Sequence, residues 1–288
     1  QIEMLEAVAQ AFNAGGQWLM EAGTGTGKSL AYLLPAVDFA VRNGRHVVVS
    51  TNTINLQDQL FLKDIPDLQR ILERPFKVAV LKGRNNYICL RRLAQFRKSE
   101  RLSTDQVRVL AKILAWLPQT RTGERSELLL VNDDVGVWAQ VQSSSETCIG
   151  DRCPYRQKGG CFFYRARDRA ERAHLVVVNH ALLLADLAME SRVLPEYQYL
   201  IIDEAHHLED IATDQFGVNV SRDDLYSYMT ALSHPVGDTP GGLISRVPGL
   251  FRQEGVSARA RDAVATLVNE VSAAVDDSER YLYALFNL

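Results

Sequence analysis

The stretch AGTGTGKS, Ala22 to Ser29, decides how this chain of 288 residues is read. It follows a short apolar run at Trp18 to Met20 and opens a helical pattern from Ser29 to Val41, giving the order strand, glycine loop, helix. Gly23, Gly25 and Gly27 have no Cβ. The backbone is therefore free to curl with its N–H groups turned inward at a helix N-terminus, where the helix dipole also favours anions. Ala22 to Ser29, with Thr24 and Thr26 in the loop, are expected to cradle the phosphates of ATP. Lys28 would reach the β- and γ-phosphates as a mobile cation, and the Ser29 hydroxyl would hold Mg²⁺. An ordinary Gly/Thr turn is the bland alternative, but Lys-Ser at this spacing between these elements favours a P-loop.

Composition sets the outer limits. With 47% hydrophobic residues the chain can bury a sizeable core, and its length suggests about two domains. No apolar run approaches a membrane span, and the polar, acidic start does not read as a signal peptide, so a soluble cytoplasmic protein that makes no membrane contact is expected. The 4 cysteines point to a metal rather than to disulfides. The formal net charge is −3, but residues 85–172 carry a net +6, leaving −9 elsewhere. A basic middle in an acidic chain suggests a polyanionic partner at that place, although exposed arginines are more often a solvated face.

Taken in order, Gln1 begins a helix with Met4, Leu5, Val8 and Phe12 on one face, ending at Gly15-Gly16. After the P-loop helix, His46 to Thr51 reads as a buried parallel strand, and Ser50 to Thr53 at its C-terminal end place short hydroxyls and amides where an open α/β sheet meets ligands. Thr51 and Asn52 there suit phosphate contacts as well as they suit helix capping. Lys77 to Leu81 is a third strand, running into KGRNNYICLRR, Lys82 to Arg92. Lys82, Arg84, Arg91 and Arg92 surround Tyr87, which joins phosphate-neutralising charge to a ring on which a base could stack.

An amphipathic helix (Val107, Leu110, Ile113, Leu114, Leu117) and a polar linker separate this stretch from Cys148, Cys153 and Cys161, spaced C-x4-C-x7-C with Pro154, Gly159 and Gly160 supplying turns. With Cys89 these are all the cysteines present, and their clustering reads as one metal site, open between zinc and iron-sulfur. LVVVNHALLL, Leu175 to Leu184, is a buried strand leading through Asn179-His180 into a helix. YLIIDEAHHLED, Tyr199 to Asp210, reads as a central strand that delivers Asp203 and Glu204 to the P-loop end of the sheet. A carboxylate there suits a nucleotide-bound Mg²⁺, for which Ser29 and Asp203 are the expected ligands, and Glu204 can orient and deprotonate the attacking water. From Phe216 onward the sequence is helical and polar, broken between Pro235 and Gly249, with a long helix from Ser257.

These motifs resemble those of the XPD/DinG family of superfamily 2 DNA helicases. Ala22 in place of the first P-loop glycine is the form that superfamily 2 uses, K-G-R-x-N-Y-x-C at Lys82 to Cys89 resembles the family's entry to its cluster, and DEAH occupies Asp203 to His206. The resemblance implies a RecA-like parallel sheet in two parts (1–84 and 173–215), a 4Fe-4S domain inserted at 85–172, and the start of a helical Arch domain at 216–288. It implies Gln1 as a reader of adenine, Lys28, Asp203, Glu204 and His206 as catalytic residues, and Cys89, Cys148, Cys153 and Cys161 as cluster ligands. Thr51, Asn52, Lys82, Arg84, Tyr87 and Arg91 become the expected contacts to DNA. The implied activity is ATP-driven movement of a monomer on single-stranded DNA, 5′ to 3′, in repair or replication. The family's second motor domain, with its arginine finger, has no counterpart in these residues, so slow turnover is expected of this chain alone. A metal-bearing ATPase or nucleotide switch without a nucleic-acid substrate, and a module that only binds, are the rival readings.

Overall fold

The computed structural model describes all residues except 24, 73, 100–101, 132–133, 189–192, 218–220, 237–238, 252–256 and 287–288. Helix α1 (Ile2–Ala14) precedes the glycine loop, and α2 (Lys28–Asn43) follows it and is closed by Gly44 in a left-handed conformation. Strand β1 (Val47–Thr51), α3 (Ile54–Gln59), a π-helical turn (Leu60–Asp64), α4 (Ile65–Ile71) and β2 (Val78–Val80) complete the first part of the sheet. The intervening segment carries α5 (Leu90–Phe96), α6 (Thr104–Trp116), α7 (Asp134–Val141), α8 (Pro154–Gln157) and α9 (Phe162–Glu171). The chain returns through β3 (Leu175–Asn179), α10 (His180–Ala188), β4 (Tyr199–Ile202) and α11 (Leu208–Phe216).

The four strands form one parallel sheet in the order β2-β3-β1-β4. In register, Val47 lies beside Leu175 on one side and Tyr199 on the other. Because side chains alternate across a strand, the β-branched runs fill two cores. Val47, Val49, Leu175 and Val177 pack with Tyr32, Leu33 and Val37 of α2 and with Leu60, Ile65 and Leu68. Val48, Val176 and Val178 pack with Tyr87, Ile88, Leu93, Val109, Ile113, Trp138 and Phe163. The inserted segment is thus the second layer of the sheet, and Gln1 to Phe216 forms one compact unit.

Three expectations are corrected. Trp18 to Met20 is not a strand: Leu19 is 95% exposed, and among the described residues no strand lies beyond β4 in the sheet. For the same reason YLII is an edge strand and not a central one, with Leu200 partly in solvent. The stretch read as a polar linker after α6 contains α7, whose Trp138 is fully buried and donates from Nε1 to the Asn85 carbonyl at 3.0 Å.

The second compact unit, Gly217–Leu288, consists of α12 (Arg222–Leu232), an antiparallel pair β5 (His234–Val236) and β6 (Thr239–Gly241), α13 (Val247–Leu250) and the 29-residue α14 (Ala258–Phe286). Gly242 sits at φ 88, where a Cβ would come within 2.5 Å of the Leu232 carbonyl oxygen, so the turn after β6 admits only glycine. Among the described residues no helix is long and apolar enough to cross a membrane.

Candidate active site

The strand ends carry the chemistry. Gly25 (φ 76) and Gly27 (φ 75) both hold left-handed conformations, curling the loop at the head of α2 as phosphate binding requires. Thr26 Oγ1 closes the curl by donating to the Gly23 carbonyl at 2.9 Å. Thr24 lies outside the described residues. Gln1 reaches across 26 residues of sequence, its Nε2 donating to the Gly27 carbonyl at 3.2 Å, so the terminal glutamine is held against the loop.

Lys28 opens α2, and its Nζ lies 3.0 Å from Glu204 Oε1. That hydrogen bond holds the Glu204 carboxyl below the ordinary glutamate range, with burial opposing it. Glu204 is the one described non-glycine residue with positive φ, at 53°. A left-handed backbone at such a residue costs about 1–2 kcal/mol and is tolerated where the surroundings fix it. The neighbouring carboxylate, Asp203, accepts from the buried Tyr32 hydroxyl at 3.0 Å and anchors its own N–H on the Ser50 carbonyl at 2.8 Å. Burial first, then the Asp203 charge, raises the Tyr32 pKa, so its hydroxyl remains a donor. The Ser29 hydroxyl lies beside both Tyr32 and Asp64, the last residue of the π-helical turn. His206 is mostly exposed, with Nδ1 3.6 Å from Glu204 Oε2. The loop glycines, Lys28, Ser29, Asp203 and Glu204 therefore converge, and a hydroxyl with a carboxylate oxygen beside a phosphate cradle suits Mg²⁺.

The expected DNA contacts do not share one surface. Thr51 is buried, its Oγ1 donating to the Thr53 carbonyl, and Thr53 caps α3. Asn52 beside it is partly exposed. Lys82 is only 3% exposed and bridges Asp58 and Glu124, each at 2.8 Å, tying α3 to the inserted segment. Tyr87 is fully buried, its hydroxyl accepting from the Lys82 N–H and its ring edge-on to Phe163, so no base can stack on it here. Burial and the Glu124 charge raise its pKa. Arg84 lays its guanidinium over the Phe163 ring, 4.0 Å from the centroid. Arg91 donates to the Thr147 carbonyl next to Cys148, and Arg92 to the Gln142 carbonyl.

Cys89, Cys153 and Cys161 each stand at a helix N-terminus, those of α5, α8 and α9. Burial raises the Cys161 thiol pKa, and Cys89 and Cys148 lie near enough to raise it further. Among the described residues no three His, Cys, Asp or Glu side chains are grouped to hold a single metal ion. A cleft of about 610 Å³ lined by Arg45, His46, Arg167 and Tyr199 opens at the opposite ends of β1 and β4, away from the carboxylates.

Sequence reasoning missed Tyr32, Asp64 and Gln57. The Gln57 amide is fully buried and donates to the Leu81 and Val177 carbonyls at 2.9 and 2.8 Å, tying α3 to the middle of β3 and to the residue after β2. All three lie in helical segments whose partners are distant in sequence, so spacing gives no signal for them.

A parallel sheet whose strand ends set a P-loop lysine against an Asp-Glu pair defines a RecA-like P-loop domain. The DEAD/DEAH box helicase family model matches residues 2–128, and the DEAD_2 model matches 141–225. The chain is 39% identical over 231 residues to ATP-dependent DNA helicase YoaA of Haemophilus influenzae, covering 78% of this chain and 35% of that protein. It is 44% identical over 232 residues to ATP-dependent helicase DinG of Mycobacterium tuberculosis (74% and 34%), and 34% identical over 264 residues to 3'-5' exonuclease DinG of Bacillus subtilis (89% and 27%). The chain belongs to the XPD/DinG family of superfamily 2 helicases, and it spans about a third of the length of these relatives.

Proposed function

We propose that this chain is the nucleotide-binding part of an ATP-driven motor that moves on single-stranded DNA, the 5′ to 3′ direction being the one the family resemblance implies. The observation that carries the reading is the pairing of Lys28 with Glu204 at the mouth of the glycine loop, with Asp203 and Ser29 alongside. When ATP binds, loop N–H groups take its phosphates, and Lys28 exchanges Glu204 for the β- and γ-phosphate oxygens. Glu204 is then free to accept a proton from water. Asp203, oriented by Tyr32, and the Ser29 hydroxyl would hold Mg²⁺. Bound there, Mg²⁺ would supply positive charge against the phosphates. Gln1, fixed on Gly27, presents the rest of its amide to an adenine edge, and His206 adjoins the base-side oxygen of Glu204.

The net +6 of residues 85–172 supports a polyanion path over the inserted segment. Asn52, Arg84 and Arg91 remain its candidate contacts, whereas Lys82, Tyr87 and Thr51 act from inside. Cys89, Cys148, Cys153 and Cys161 would supply the four thiolates of a 4Fe-4S cluster, the centre that the family resemblance implies.

The test is titration of a fluorescent ATP analogue with Mg²⁺, with and without single-stranded DNA. Binding that Lys28→Ala abolishes supports the reading; binding indifferent to Lys28 sinks it. Hydrolysis by residues 1–288 should be slow, because an arginine finger from a second motor domain is worth on the order of 10³–10⁵ in rate. Rapid DNA-stimulated hydrolysis by this chain would place the catalytic arginine within it.

A further inference from the structure

His180 opens α10 directly after β3, and both it and Ser50 on the neighbouring β1 are fully buried. The Ser50 hydroxyl oxygen lies 2.7 Å from His180 Nδ1, while the Ser50 carbonyl accepts the Asp203 N–H at 2.8 Å. Ser50 therefore touches both the imidazole and the carboxylate turn. The backbone of Asp203 and Glu204 lies against the same ring, yet Nε2 is enclosed and has no aligned hydrogen-bond partner. Buried polar groups are rarely left so, and an orphan beside a strained turn marks a place where a second arrangement can satisfy it.

A neutral imidazole carries one ring proton, and its hydrogen bonds decide which nitrogen holds it. A hydroxyl that gives its single proton to Nδ1 leaves the ring proton on Nε2. At present the Glu204 turn is also tied to α2 through Lys28, 3.0 Å from the carboxylate.

We infer that His180 is a positioning residue for the carboxylate turn: Ser50 fixes its tautomer, and its Nε2–H is the donor that takes a backbone carbonyl of Asp203 or Glu204 once Lys28 leaves Glu204 for a nucleotide phosphate. This rests on the nucleotide reading above. The bond would hold Glu204 in place while its carboxylate works on water, and would join the turn more firmly to β1.

The experiment is ¹H–¹⁵N spectroscopy of the histidine rings in the whole chain, with a non-hydrolysable ATP analogue and Mg²⁺. A buried Nε2–H resonance, assigned by its loss in His180→Gln, is expected, and Ser50→Ala should mix its tautomers. On saturation it should move downfield and exchange with solvent roughly tenfold more slowly, the factor that one net hydrogen bond supplies. Analogue binding is followed separately by fluorescence, with Lys28→Ala as the non-binding control. If the analogue binds and the resonance stays, or if the proton sits on Nδ1, the inference falls while the nucleotide reading stands. If the analogue does not bind the wild-type chain, the nucleotide reading falls first and takes this inference with it.

Discussion

Replacing Glu204 with Gln should tighten nucleotide binding while removing hydrolysis. Lys28 and Glu204 are 3.0 Å apart with side chains 24% and 30% exposed, so ATP must break an ion pair that is neither fully solvated nor buried. Exposed pairs are worth about 0.2–1 kcal/mol, and this geometry belongs near the top of that range. Glutamine keeps the shape and drops the charge. Lys28 is then released at a gain of up to about 1 kcal/mol, or about fivefold in Kd for Mg-ATP. Loss of a general base lowers turnover by about 10²–10⁴. Titration of a fluorescent ATP analogue at low and high salt measures the first effect, which should shrink as salt screens the pair. Phosphate release measures the second. If Glu204→Gln weakens binding, or leaves it unchanged at low salt, Glu204 is not competing with the nucleotide for Lys28 and the exchange mechanism is wrong.

Lys82→Ala should destabilise the first compact unit by about 3–5 kcal/mol by stranding two carboxylates, without altering the salt dependence of DNA binding; a lower salt slope would restore Lys82 to the DNA surface. Trp138→Ala should cost about 3–5 kcal/mol in chemical denaturation and should lower nucleotide-site stability in the same transition, since the inserted helices cover the sheet; two separate transitions would contradict that packing. Any one of Cys89, Cys148, Cys153 or Cys161 replaced by Ser should lose iron from anaerobically purified protein, and a colourless wild type holding one equivalent of zinc would overturn the cluster assignment. The Glu204 carboxyl is depressed by Lys28, so its contribution to stability is full above the ordinary glutamate pKa and is lost as pH falls through the lower folded value. The stability gap between wild type and Glu204→Gln should therefore hold steady near neutrality and change only as pH falls through that acidic window, and a gap that stays unchanged into acid would refute the pairing.

Much of the site was legible because its motifs are local. Gly25, Gly27, Lys28 and Ser29 lie within one turn of chain, and Asp203 and Glu204 follow an apolar strand directly. The β-branched runs at Val47 to Val49 and Leu175 to Val178 likewise announce buried parallel strands. What escaped reading depends on partners far apart in sequence. Lys82 and Tyr87 look like a basic, aromatic surface until Asp58, Glu124 and Phe163 enclose them, and Thr51 looks open until the loop folds back on it. The edge position of β4 is a fact of strand order, which alternation along one strand cannot encode. Tyr32 and Gln57 read as helix filler because what they hold, just after β4 and within β3, lies 171 and 120 residues away.

Strand order also bears on how the chain is made. In the sequence β2-β3-β1-β4, the strand between β1 and β2 is β3, which leaves the ribosome only after the whole inserted segment. The roughly ninety residues between β2 and β3 take about 5–18 s to synthesise at ordinary rates. Throughout that interval the VVVST strand has neither of its neighbours, both of its edges are open, and one of its faces awaits helices still being translated. Such a nascent strand invites pairing with other chains, so the first third of this protein should depend on chaperone capture during translation, and a pause placed within the insertion should lower its soluble yield.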